Sequence, residues 1–275
     1  MENVGGQAVI EGVLMRHENK VNISIRKGHS IISKRINLKK RSQFLKLFFV
    51  RGITNMVDML KIGLDALIWS ADQQTPKKEK VSKTEVGLTL VFSFIFAILI
   101  FVIAPFYLTK LFYSSNNWIF NLIDGILRVL IFIVYILAIS LMKDILRVFQ
   151  YHGAEHKVVN CYEAGKDLTV KNAKKFTTLH SRCGTSFLII VLAISIIVFS
   201  FITRPEWYYK IGFRIILIPV IIGISYEILR LADRFKNNLF FNFLNKPGLW
   251  IQKITTKEPD EKQLEVAIHS LKKVL

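Results

Sequence analysis

The sequence predicts a mainly α, polytopic helical membrane protein with about four spanning helices, an amphipathic interfacial helix and a small N-terminal β-hairpin element. Three observations predict it. The 275 residues are 52% hydrophobic with a mean hydropathy of +0.38, and the apolarity is concentrated in a few long blocks. Apolar runs of about 18 or more residues with few charges read as membrane-spanning helices. The net charge of +18 alternates along the chain between basic and non-basic segments. Near the N-terminus, period-two alternation replaces helical periodicity.

Residues 1–41 form the predicted N-terminal segment. Val21-Asn22-Ile23-Ser24-Ile25 alternates apolar and polar, as does Ile32-Ser33-Lys34-Arg35-Ile36 less cleanly, with Lys27-Gly28-His29-Ser30 between them. That pattern is a hairpin signal. Gly5-Gly6-Gln7 and Glu11-Gly12 suggest tight turns or close backbone approach. No basic start followed by an apolar stretch opens the chain, so no cleaved signal peptide is expected.

Residues 42–84 read as an amphipathic helix on the membrane surface followed by a Lys-rich linker containing Pro76. Arg51, Asp58, Lys61 and Asp65 interrupt the apolar pattern over 42–71, which favours a surface position over a spanning one. The membrane domain covers 85–229, with spans expected at 86–112, 118–142, 185–203 and 211–229. It includes a polar loop at 143–184. Residues 230–275 form a soluble helical tail. There Pro259 suits a first helical position, Asp260 and Glu261 a first turn, and Leu264, Ile268, Leu271 and Leu275 one apolar stripe.

Arg and Lys counts set the orientation. Residues 1–85 carry 16, the 143–182 loop 8 and the tail from 230 onward 9, while 113–117 carries none and 204–210 carries 2. The positive-inside rule then places both termini and the polar loop in the cytosol, in the plasma membrane. The same excess of basic residues points to anionic lipid at the cytosolic face and to a membrane-protein partner. No nucleic-acid-binding motif competes with that reading. Two cysteines in a cytosolic setting are expected to be reduced thiols, available as ligands.

The chemistry concentrates in residues 151–186, which hold three of the six histidines and both cysteines. His152-Gly153-Ala154-Glu155-His156 has the pattern H-x-x-E-H. On a helix the two histidines lie one turn apart on one face, so both imidazoles reach one zinc ion, and Glu155 is placed to accept a proton as general base. His180 and Cys183 return to the same membrane surface as candidates for a third ligand, His180 first and Cys183 second. Glu163 lies seven residues past His156, about 10 Å along the axis, too far to complete the same coordination shell. It is placed instead to orient a ligand, as is Arg182. Asp124, Arg128, Glu227, Arg230 and Asp233 lie in or beside apolar runs. Glu227 either pairs with Arg230 at i, i+3 or supports the site.

The motifs Gly5-Gly6-Gln7-Ala8-Val9-Ile10-Glu11-Gly12-Val13, Arg51-Gly52, Tyr151-His152-Gly153-Ala154-Glu155-His156-Lys157, His180-x-Arg182-Cys183-Gly184-Thr185-Ser186-Phe187, Pro247-Gly248-Leu249-Trp250 and Thr255-Thr256-x-Glu258-Pro259 resemble the YqhQ family. These are bacterial polytopic membrane proteins of unknown function, often labelled predicted metal-dependent enzymes. The resemblance runs through nearly the whole chain. Ser181 stands where the family pattern has proline and Leu14 where it has methionine, and neither position is a proposed ligand. The resemblance implies a membrane location and a metal, but no reaction. Two function classes follow: a cytosol-facing zinc-dependent hydrolase, or a non-catalytic membrane assembly, translocation or lipid-handling factor with a structural histidine cluster.

Overall fold

The computed structural model describes residues 4–39, 42–75, 82–113, 117–202, 207–235 and 238–275. It opens with a four-stranded antiparallel meander, β1 (Val4–Val9), β2 (Gly12–His17), β3 (Lys20–Lys27) and β4 (Ser30–Asn37), in sequential order. Two-residue loops join the strands, as the pairs Val9↔Gly12, His17↔Lys20 and Lys27↔Ser30 require. Each loop holds one residue at positive φ: Glu11, Glu18 and Gly28. The expected hairpin is β3–β4. The sheet is larger than expected because β2 is covered on both faces, so Val13-Leu14-Met15 shows no alternation. Gly12 marks a close approach: a Cβ there would sit 2.1 Å from the Ser24 carbonyl oxygen.

The sheet lies between helices on both sides. Val9, Leu14, Val21, Ile23 and Ile25 pack against Ile62 and Ala66 of α1 (Val50–Gln74). Val4, Val13 and Met15 pack instead with Tyr151, Ala154 and Val158 of α5 (Lys143–Glu163) and Leu264, Ala267 and Leu271 of α10 (Glu261–Lys272). Adjacent residues of β2 thus serve opposite cores, as the pleat dictates. α1 turns its small residues inward: Gly52 against Tyr226 and Gly63 against Gln7. Its inner stripe is therefore a protein contact, while Val57 and Leu60 remain exposed. The Lys-rich linker expected around Pro76 lies largely outside the described residues.

The apolar helices follow. α2 (Lys83–Ile98) starts on a capping box of Ser82 and Glu85. It runs through a π-helical turn, Leu99–Ile103, into α3 (Ala104–Phe112), whose Pro105 has no N–H to donate. α4 (Trp118–Ser140) is capped by Asn117, and α5 follows directly. α5 ends at Gly165, where Lys166 N–H reaches the Cys161 carbonyl and Gly165 N–H the Tyr162 carbonyl. A short helix, α6 (Val170–Ala173), precedes α7 (Gly184–Ser200), α8 (Trp207–Arg234) and α9 (Leu239–Thr255). Among the described residues three helical stretches are long and apolar enough to cross a membrane: Thr84–Phe112, Trp118–Ser140 and Gly212–Arg234. The fourth expected span forms a shorter apolar helix of 17 residues.

α10 is capped by Asp260 in a box with Gln263, so Pro259 precedes the cap rather than opening the helix. Leu264, Ile268 and Leu271 are buried as its stripe predicted. Leu275 is 43% exposed, and fully buried Val274 takes its place.

Candidate metal centre

α5 carries the histidines because residues 143–163 form one uninterrupted helix, with His152 and His156 a turn apart and ring centroids 4.4 Å apart. Gly153 does not break this helix. It admits the chain after α9: a Cβ would lie 2.0 Å from the Lys257 carbonyl oxygen, and Lys257 N–H bonds the Phe149 carbonyl at 2.9 Å. That close approach delivers the Thr255 carbonyl to His152.

Each histidine is fixed through Nδ1. His152 Nδ1 lies 2.9 Å from the Thr255 carbonyl oxygen, and His156 Nδ1 lies 2.6 Å from that of Thr178. A carbonyl only accepts, so both rings carry the proton on Nδ1 and present a bare Nε2. Metal-ligating histidines are oriented in this way. Cys183 faces them, with its Sγ 3.3 Å from His152 Nε2. One ligand atom each from His152, His156 and Cys183 lies within 4.8 Å of the others. Tetrahedral zinc bonds of about 2.1 Å to nitrogen and 2.3 Å to sulfur set an N–S edge of about 3.6 Å, close to the 3.3 Å between His152 Nε2 and Cys183 Sγ. The donor set and spacing therefore fit zinc.

Cys183 is the N-cap of α7, and its sulfur accepts the Thr185 N–H at 3.4 Å. The turn before it is latched by Gln252 of α9. Gln252 Oε1 accepts the His180 N–H at 2.9 Å, and Gln252 Nε2 donates to the His180 carbonyl at 2.9 Å and to Ser186 Oγ at 2.8 Å. Asn160 Nδ2 holds the Thr177 and Leu179 carbonyls from α5. Two segments distant in sequence, residues 177–186 and 252–257, thus converge on the two histidines of α5.

Of the two candidates for a third ligand, Cys183 joins the histidines and His180 does not. His180 Nδ1 accepts the Arg182 N–H at 3.3 Å, and its Nε2 lies 3.3 Å from Glu163 Oε2. Its ring stays near, 5.7 Å from that of His156. Glu163 also binds Arg182, which reaches Asp233 of α8 at 3.8 Å. Ser181 donates to the same Asp233 at 2.9 Å. Glu163 and Arg182 therefore brace the His180–Cys183 turn. Glu227 is elsewhere: its carboxylate takes Arg51 in a fork and the Phe49 N–H at 3.3 Å, tying the start of α1 to α8. It pairs with neither the site nor, by hydrogen bond, Arg230. α1 supplies a nearer guanidinium that the sequence does not announce.

Glu155 is buried at 6% exposure, with Oε2 3.4 Å from His156 Nε2. Gly6 of β1 closes over it, since a Cβ there would lie 2.6 Å from Glu155 Cγ. Burial pushes the Glu155 carboxyl above the usual range, opposed by His152, His180, Arg182 and the Gly6 backbone bond. Burial also lowers His156, opposed chiefly by Cys183. Both shifts run toward the neutral forms. Thr178, Gln252, Thr255 and Gly6 were not among the predicted site residues. Three of them act wholly or partly through backbone groups, which leave no side-chain signature. His152 is the half-buried member of the cluster, while His156 and Cys183 are buried.

Comparison with known proteins agrees with the motifs. Residues 47–275 match a family described as a protein of unknown function, DUF1385. The chain is 34% identical over 296 residues to the uncharacterized protein YqhQ of Bacillus subtilis (strain 168), an alignment covering 98% of this chain and 92% of that protein. No solved structure matches. With a family model over most of its length and a relative aligned almost end to end, the chain belongs to the YqhQ family, whose function is not established.

Proposed function

We propose that this protein is a membrane-embedded, zinc-dependent hydrolase whose site faces the cytosol. The observation that carries the proposal is the pair of Nδ1-anchored histidines presenting bare Nε2 atoms beside the Cys183 sulfur. His152, His156 and Cys183 would hold the ion, and three protein ligands leave a position open, as in catalytic zinc sites. Zinc bound there would supply Lewis acidity and an activated water. Glu155 is the proton acceptor; its burial favours a carboxyl that takes up a proton readily and releases it within a dry site. The Thr255 and Thr178 carbonyls hold the rings in one tautomer. Arg182 and Glu163 keep the Cys183 turn against α5.

The topology of the proposal is four spans with both termini in the cytosol of the plasma membrane. The sheet, α5 and α10 share one core, and groups in one core lie on one side of a membrane. An even number of crossings must then separate α5 from α10, so a spanning α8 needs α7 as its partner. At 17 residues α7 is at the short end of what spans. The basic segments, 33 of the 38 Arg and Lys residues, then face anionic lipid and a membrane-protein partner.

One observation favours a second reading, a non-catalytic membrane factor with a structural metal: Gly6 shuts Glu155 away inside the sheet–α5 interface. Elemental analysis of the detergent-purified protein tests the metal that both readings require, and hydrolytic activity separates the two. The hydrolase reading predicts stoichiometric zinc, lost in His152→Ala, His156→Ala and Cys183→Ala but kept in His180→Ala. It also predicts that Glu155→Gln keeps zinc while hydrolytic activity falls about 10²–10⁴-fold. Wild-type protein without a transition metal overturns both readings of the cluster.

A further inference from the structure

A second charged cluster sits at the other end of the helices. Asp124 and Arg128 of α4 and Arg214 of α8 are 1%, 8% and 4% exposed. Arg128 and Arg214 both donate to the same oxygen, Asp124 Oδ2, at 2.9 and 2.8 Å. Both guanidiniums also stand over the ring of Phe199 on α7, at 5.5 and 5.3 Å from its centroid. Among the described residues two buried cations therefore share one carboxylate, leaving one uncompensated positive charge. The hydrogen bonding is incomplete as well: Arg128 Nε and Arg214 NH1 have no acceptor, and Asp124 Oδ1 and Asn121 Oδ1 have no donor. An unpaired buried charge flanked by unused N–H groups is expensive to maintain in an apolar surround.

We propose that Arg128 and Arg214 form a binding site for a monovalent anion between α4, α7 and α8. The missing charge is a single negative one, and the missing partners are acceptors for guanidinium N–H. The free Asp124 and Asn121 oxygens beside them provide acceptors for hydroxyl donors. Along α4, Asp124 and Arg128 lie about 9 and 15 Å from Trp118, in the half of the helix remote from α5 and its histidines. A lipid phosphodiester with a hydroxylated headgroup and a free inorganic anion share the required charge. Phe199 is the platform, since its ring face attracts both cations and keeps them beside one another.

The test uses the delipidated full-length protein in detergent, followed by thermal unfolding. Sodium gluconate at fixed ionic strength is titrated against chloride, and separately phosphatidylglycerol against phosphatidylcholine. Wild type should show saturable stabilisation by chloride, by phosphatidylglycerol, or by both; the responding probe identifies the source. Arg214→Gln balances the cluster at zero charge and should weaken the response on the order of tenfold or more. Asp124→Asn raises the surplus charge and should strengthen the response, so the proposal stays testable if Arg214→Gln does not fold. Wild-type unfolding that is the same in every anion and lipid, or a response unchanged in both variants, overturns it.

Discussion

His152 and His156 show which parts of a site a sequence reveals. Their four-residue spacing puts both rings on one helix face, and that was legible from H-x-x-E-H alone. Which of His180 and Cys183 stands nearer the two histidines was not legible. His180 and Cys183 are three residues apart in a turn whose direction depends on Gln252, more than sixty residues later in the chain, and that latch delivers the sulfur rather than the imidazole. His269 gives a residue-scale prediction outside the site. On α10 its Nδ1 meets Ser24 Oγ at 3.1 Å, and burial and Lys273 lower its pKa. The unfolded chain then binds a proton that the folded chain resists. Its stability contribution is present above about pH 6.5 and is lost as pH falls through the folded value. His156 is lowered in the same sense. Thermal unfolding of His269→Gln should therefore fall less than wild type between pH 7.5 and pH 5.5, about one unit either side of an ordinary histidine. A wild-type-like fall would remove His269 as a contributor.

Elements were legible where the two faces differ in polarity and obscure where both are apolar. β3 is covered on both faces, yet Asn22 and Ser24 meet Ser270 and His269 of α10 on one side while Val21, Ile23 and Ile25 pack with α1 on the other. β3 and β4 alternate, and α10 shows its stripe. β2 lies between α1 on one side and α5 with α10 on the other, and its apolar run resembles no single period. The lysine and arginine of β4, Lys34 and Arg35, stay exposed on the edge strand, a placement that discourages edge-to-edge pairing. Gly153 carries the prediction at this scale. In sequence it weakens a helix; in the fold it is the gap through which the α9–α10 connection reaches α5. Gly153→Ala should gain helix propensity yet destabilise by about 1–3 kcal/mol through overpacking. It should also loosen zinc by moving Thr255 away from His152. Unfolding midpoint and metal content, measured together, check this; a stabilised variant with full metal would contradict the contact.

For the whole molecule, composition and charge alternation gave the membrane class, while the length of α7 left the number of crossings open. The four crossings proposed above rest on packing, because sheet, α5 and α10 share one core that a bilayer would not divide. Single-cysteine labelling of intact cells, in a background without Cys161 and Cys183, tests this. Probes at Trp118 and Tyr209, exposed at 59% and 48%, should react with an impermeant reagent, while a probe at Lys166 should react only after lysis. Labelling at Lys166 in intact cells would reverse the orientation and place the histidine site outside.

X-ray absorption at the zinc edge of the purified protein tests the His152–His156–Cys183 centre most directly. The account predicts a mixed shell with nitrogen at about 2.0–2.1 Å and one sulfur at about 2.3 Å, the sulfur being lost in Cys183→Ser. A shell containing only nitrogen and oxygen, or a sulfur signal that survives Cys183→Ser, would contradict it.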